Sequence, residues 1–220
     1  MLLSMNVIEL FSSIDGEGKR QGFLTTFLRL HDCNIRCSYC DTLYSYGPES
    51  TFESMSVQAV ADAIEQLENH RITITGGEPL LQELAIIELI DELTRRNARY
   101  DFNIETNGTI IPSFHRDNVW FTYDYKTPLS LAEEAMNLDI FKVATPADII
   151  KFVVGSMQDL DRMDEILKTY PTDAQIFVSP VWGNIEGATI IEYMKAHNWQ
   201  NVRFQLQIHK FIWDPDAKGV

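Results

Sequence analysis

Residues 25–40 read TTFLRLHDCNIRCSYC: an apolar, β-branched run, Thr25–Leu30, that leads straight into Cys33, Cys37 and Cys40. These are the chain's 3 cysteines, and they share one short window. An odd count excludes a fully paired disulfide framework. Thiolates are soft ligands that select zinc, copper(I) or iron–sulfur clusters, so a shared metal centre is the natural reading. A structural zinc site wants four ligands, usually from a second Cys/His pair, and none follows here; zinc would have to draw on His31, Asp32 or Asp41. An electron-carrying iron–sulfur protein would want a fourth thiolate. A cubane held by three leaves one iron open to a chelating small molecule. Because the cysteines follow a strand, they stand at its C-terminal end, where a parallel barrel carries its chemistry.

Working outward, short β-branched or aromatic runs alternate with helical patterns. The expected strands are Val7–Phe11, Thr25–Leu30, Arg71–Thr75, Asp101–Glu105, Trp120–Tyr125, Ile149–Val154, Gln175–Ser179 and Val202–Gln207. Between them Val57, Val60, Ala61, Ile64 and Leu67 recur at helical spacing, as do Ile86, Leu89, Ile90 and Leu93, then Leu160, Met163 and Leu167, then Ile190, Ile191 and Met194. The alternation predicts an α/β fold in one domain spanning residues 1–220, with parallel strands and crossover helices. Residues 107–148 are poor in long helices, so the wrapping should be incomplete there. An open partial (β/α) barrel of about six parallel strands with an extra N-terminal strand fits the length better than a closed eight-fold barrel.

Composition narrows the function. Hydrophobic residues make up 45% and charged residues 23%, which fits a folded domain. No apolar run approaches the roughly 18 residues of a membrane span. Met1 to Met5 lacks the charges and apolar core of a signal peptide, so a cytoplasmic setting is expected. The formal charge of −14 argues against a broad nucleic-acid surface and for a small substrate.

Two further motifs follow strands. Thr75-Gly76-Gly77-Glu78-Pro79 closes the run Arg71–Thr75; its glycines let backbone approach a ligand, and Pro79 can open a helix. Glu105-Thr106-Asn107-Gly108 ends the next strand and by itself reads as an Asn-Gly turn. With Tyr39 before the last cysteine, the C-x3-C-x2-C window resembles the signature of the radical S-adenosylmethionine (SAM) superfamily. That resemblance implies a [4Fe-4S] cluster on Cys33, Cys37 and Cys40, with SAM met by Tyr39, Asp41, Gly76, Gly77, Glu78 and Asn107.

Ser13-Ile14-Asp15-Gly16-Glu17-Gly18, then Phe27-Leu28-Arg29, and Asp41-Thr42 after Cys40 narrow it further. Together these motifs resemble the 7-carboxy-7-deazaguanine synthase family of the queuosine and 7-deazapurine pathway, whose product serves tRNA modification. The resemblance implies a radical carbon–nitrogen lyase that converts 6-carboxy-5,6,7,8-tetrahydropterin to 7-carboxy-7-deazaguanine with loss of ammonia, needs Mg2+ and regenerates SAM. It assigns substrate contacts to Ile14, Asp15, Gly16, Glu17, Arg29, Thr75, His209 and the C-terminal Val220, and Mg2+ to Thr42. The residues agree in part: Glu17 can accept from the pterin's N–H edge, and Arg29 offers a planar fork for a carboxylate. A structural Glu17–Arg29 ion pair is the alternative.

The chain departs from the family at two places. Asp15 stands where many members have Gln, adding negative charge beside the substrate. Asp124-Tyr125-Lys126 stands where many have Ser-Pro-Lys at a SAM-facing loop, so these three are candidate SAM contacts. The class also implies a flavodoxin- or ferredoxin-type electron donor and a homodimer; Lys19, Arg20 and Arg36 are the candidate docking charges. The competing readings are a glycyl-radical-enzyme activase and a non-catalytic zinc or iron–sulfur module.

Overall fold

The computed structural model describes residues 3–215 and 217–220; Met1 and Leu2, part of the segment read for a leader, and Asp216 lie outside the described residues. The strands are β1 (Ser4–Ile14), β2 (Leu24–Leu30), β3 (Glu53–Ser56), β4 (Arg71–Gly76), β5 (Asp101–Thr106), β6 (Val119–Tyr125), β7 (Ile149–Val154), β8 (Gln175–Pro180) and β9 (Val202–Phe204). They form one sheet in the order β3-β1-β2-β4-β5-β6-β7-β8-β9. Every neighbouring pair from β2 to β9 is parallel, while β1 and β3 extend the first edge in antiparallel fashion. The outer strands β3 and β9 do not pair with each other, so the α/β sheet is an open partial barrel.

Three differences from the sequence reading have local causes. The parallel array has β2 and β4 to β9, seven strands against the six or so expected for the barrel, each of them one of the runs read as a strand. β3 was missed because Glu53–Ser56 has no β-branched run; it exists by pairing with β1, from Ser4↔Ser56 to Val7↔Glu53. The last strand stops at Phe204 and not at Gln207: the Gln205 N–H still donates to the Val178 carbonyl at 2.9 Å, but further on the Ile208 N–H turns to the Gly16 carbonyl at 3.1 Å, and the Gln205 side chain accepts from the Gly18 N–H at 2.8 Å.

The helices are α1 (Val57–Gln66), α2 (Glu83–Arg96), α3 (Ile140–Val143), α4 (Met157–Thr169), α5 (Gly187–Ala196) and α6 (His209–Ile212). Ser56 caps α1 by accepting from the Ala59 N–H, and Ser156 caps α4 by accepting from the Asp159 N–H. The β5–β6 connection carries no α-helix and β6–β7 only the single turn of α3, as the helix-poor stretch predicts. The stripes Val60, Ala61 and Ile64, Ile86, Leu89 and Leu93, and Leu160 and Met163 join one core with Ile72, Ile74, Phe102 and Ile104 of the sheet. Each such side chain contributes about 1.5–3 kcal/mol by leaving water. That core fixes the parallel strands, and so the common end at which their loops meet.

Candidate active site

The loops after β2, β4 and β5 are tied to one another before any side chain is considered. The Gly77 N–H donates to the Leu30 carbonyl at 3.2 Å and the Glu78 N–H to the Asp32 carbonyl at 2.8 Å. A Cβ on Gly77 would lie 1.9 Å from the Asp32 oxygen and 2.8 Å from Cys33 Cβ, so only glycine permits this approach. Glu78 is fully buried and accepts from the Leu80 N–H, the Asn107 N–H and the Thr106 hydroxyl. It therefore fixes the loop after β5 from behind. The Asn107 amide donates to Asn34 at 2.8 Å and lies 3.8 Å from Cys33 Sγ, closing the third side of the cysteine loop.

These loops border a cavity of about 560 Å³, within the range of small-molecule sites. Cys33, Cys37 and Cys40 are free, half-buried and all on its wall. Burial pushes the Cys37 thiol up to about 11. Three unpaired thiols on one wall, backed by a glycine loop with no room for a side chain, fit a cluster held by three cysteines. Among the described residues no three His, Cys, Asp or Glu side chains converge as ligands of a single ion would, and His31 lies against the Phe52 ring.

A second part of the lining is buried charge. Lys151, in the middle of β7, reaches Glu17 at 3.1 Å and Asp124 at 3.6 Å, and Lys126 reaches Asp124 at 3.1 Å. Ser179, Gln205 and Gln207 also donate to Glu17, each at 3.4 Å. Burial alone would lower Lys151, but Glu17, Asp124 and Glu105 outweigh it and hold its ammonium well above the ordinary value. Glu105 borders the cavity and accepts from the Thr75 hydroxyl at 3.2 Å. Burial pushes its carboxyl up to about 7, with Asp15 and Glu17 adding to the effect.

Most of the sequence candidates meet on this cavity: Ile14, Asp15, Gly16, Glu17, Arg29 and Thr75, with Tyr39, Asp41, Thr42, Gly76, Asp124 and Lys126, and also His209 and Val220. His209 packs so closely on Gly16 that a Cβ there would lie 2.0 Å from the imidazole Nδ1. Four expectations change. Tyr125 does not face the cavity; its ring lies between Phe141 and Phe152 and its hydroxyl donates to Glu133, because side chains alternate along β6 and Asp124 takes the cavity side. Glu17 pairs with Lys151, so the Glu17–Arg29 ion pair is not formed. The charge of Asp15 is met by Arg20 at 3.3 Å and the Thr73 hydroxyl at 3.2 Å. Arg20 is therefore buried and cannot serve a docking patch, while Lys19 lies over the Trp120 ring and Arg36 over Tyr46.

Sequence reasoning missed Lys151 and left Glu105 without a role. The signal for Lys151 was a lone charge inside the apolar run Ile149–Val154.

Comparison with known proteins identifies the family. The model of the radical SAM superfamily matches residues 29–118, from Arg29 through the cysteine and glycine loops. A 7-carboxy-7-deazaguanine synthase from Clostridium acetobutylicum is 37% identical over 99% of this chain and 100% of its own length. One from Methanospirillum hungatei is also 37% identical, over 96% of this chain and 86% of its own. A crystal structure of QueE from Escherichia coli, 24% identical, superposes with a TM-score of 0.69 over 92% of this chain and 93% of that one, so the fold is shared. The chain belongs to the 7-carboxy-7-deazaguanine synthase family of the radical SAM superfamily.

Proposed function

We propose that this protein is a radical SAM lyase that converts 6-carboxy-5,6,7,8-tetrahydropterin to 7-carboxy-7-deazaguanine and ammonia, in the pathway to queuosine. The observation that carries the reading is the meeting of two residue sets on one cavity: three free thiols with a glycine loop, and a buried polar wall containing Glu17, Arg29 and Thr75.

The family implies a [4Fe-4S] cluster and SAM, which when bound supply a carbon radical able to remove a hydrogen atom from an unactivated position. Cys33, Cys37 and Cys40 would hold the cluster. Gly76, Gly77, Asn107, Asp41, Tyr39 and the Asp124–Lys126 pair would border SAM, and Glu78 would act by fixing the Asn107 loop. Elsewhere on the cavity Glu17 accepts from the pterin's N–H edge, beside Ile14, Asp15, Gly16 and Thr75, while Arg29 takes the carboxylate and His209 with Val220 closes over the ring. Thr42 is the proposed Mg2+ ligand, an ion that keeps several waters and few protein oxygens. The conversion expels one ammonia with no net change in redox state, so the walls must hold the ring and exclude water while a C–H proton is lost and the amine leaves. Enclosure between buried charges provides that exclusion. A flavodoxin- or ferredoxin-type donor, a homodimer, and a cytoplasmic setting go with the reading on the strength of the resemblance.

A glycyl-radical-enzyme activase acts on a protein backbone and would leave the buried Glu17–Lys151 pair without a purpose. Anaerobic incubation of cluster-reconstituted protein with SAM, Mg2+, a reductant and the carboxytetrahydropterin tests the proposal. Mass spectrometry should find 7-carboxy-7-deazaguanine. SAM cleavage without that product would overturn the substrate assignment and leave the radical SAM assignment standing.

A further inference from the structure

Arg29, an arginine of the cavity lining, is held by a residue outside the cavity wall. The β1–β2 ladder pairs Val7 with Leu30 and then Glu9 with Arg29, so Ile8 is an extra residue, a β-bulge. Directly opposed residues in an antiparallel pair share a face, and a bulge changes which residue stands opposite. Without it Ile8 would face Arg29. With it, Glu9 Oε2 accepts from Arg29 Nε at 2.9 Å and from the Tyr44 hydroxyl at 3.0 Å.

This leaves the Arg29 fork free. Among the described residues neither terminal amino group of Arg29 has a protein acceptor, although the side chain is only 15% exposed. These amino groups are not sealed in the protein but open onto the cavity, and guanidinium N–H groups offered there without a protein acceptor point to a ligand that supplies one; a planar carboxylate matches the two. Glu9 is not on the cavity wall, whereas Arg29 and Tyr44 are. We propose that Glu9 is the positioning residue of this site: it grips Arg29 by Nε so that both amino groups face the cavity as a fork for the carboxylate of a bound heterocycle. The inference rests on the substrate reading above, and it adds a residue that no cluster or SAM motif contains.

The test compares two probes, the oxidised 6-carboxypterin and pterin without the carboxylate, binding to cluster-reconstituted protein with SAM present. Wild type should prefer the carboxylated probe. Glu9→Ala should weaken that probe about tenfold, the effect of one charge-assisted hydrogen bond, and leave unsubstituted pterin unchanged. Glu9→Gln, whose amide oxygen still accepts from Nε, should lose only about two- to threefold. Arg29→Met should erase the preference, and adding Glu9→Ala to it should cost nothing further, since the two act as one unit. The inference is overturned if Glu9→Ala weakens both probes equally, which is a structural role, or if it weakens neither. Preference in wild type with no change in Glu9→Ala defeats this inference alone; no preference in wild type defeats the substrate reading with it.

Discussion

The two walls of the cavity are built on opposite principles. The wall of β2, β4 and β5 is held by backbone hydrogen bonds between loops and by Gly77, whose missing side chain lets the cysteine loop close on it. The polar wall, where Lys151 of β7 meets Glu17 from the loop after β1, is held by charges that neutralise one another. The first kind of wall is stiff, and it suits a cluster that must be gripped at fixed points. The second is polar and enclosed, and it suits a substrate rich in N–H donors and carrying a negative group. The difference predicts that the walls can be broken separately.

The largest effect should come from the cysteine wall. Cys33→Ala, Cys37→Ala or Cys40→Ala should each bring SAM cleavage to background, because only three thiolates serve the cluster; iron content and 5′-deoxyadenosine formation are the measurements. Lys151→Met should follow, leaving Glu17 buried without its cation while Asp124 keeps Lys126, at a cost of about 3–5 kcal/mol. Its thermal midpoint and carboxypterin affinity should fall while reconstituted iron per chain stays near wild type. Gly77→Ala should show the reverse pattern at a cost of about 1–3 kcal/mol, since its Cβ forces the cysteine loop away: iron is lost, and pterin contacts on the far wall are kept.

The smallest effect is a pH dependence. Glu105 holds its proton up to about 7 in the folded chain and loses it near the ordinary carboxylate value when unfolded. Between those values the native state binds more protons, so this group lowers stability as pH rises. Glu105→Gln cannot ionise. Relative to wild type it should therefore gain about 1–3 kcal/mol between pH 4 and pH 8, read as thermal midpoints across that range. An equal gain at both ends would show that Glu105 does not titrate in this interval.

The same contrast explains what the sequence disclosed. Cys33 to Cys40, Gly76 to Glu78 and Asn107 lie in contiguous motifs directly after strands, and strand order alone carries them to one end of the sheet. The charged wall has no such motif, because Glu17 and Lys151 are 134 residues apart and their pairing exists only after β7 takes its place. Tyr125 is different: the period of two along β6 could have excluded it once Asp124 was given the cavity side. Arg20 illustrates a further limit, since a loop arginine next to Lys19 reads as exposed, and only Asp15, Thr73 and Asp101 around it make it part of the interior. Glu9 was hidden by the bulge, for a simple alternation along β1 does not bring it opposite Arg29.

The central claim, that one cavity couples a SAM-cleaving wall to a pterin-holding wall, is tested most directly by stoichiometry. Reconstituted protein supplied with limiting SAM and excess carboxytetrahydropterin should release one ammonia for each 7-carboxy-7-deazaguanine, with product well in excess of 5′-deoxyadenosine. One 5′-deoxyadenosine for each product, or SAM cleavage indifferent to the pterin, would contradict it.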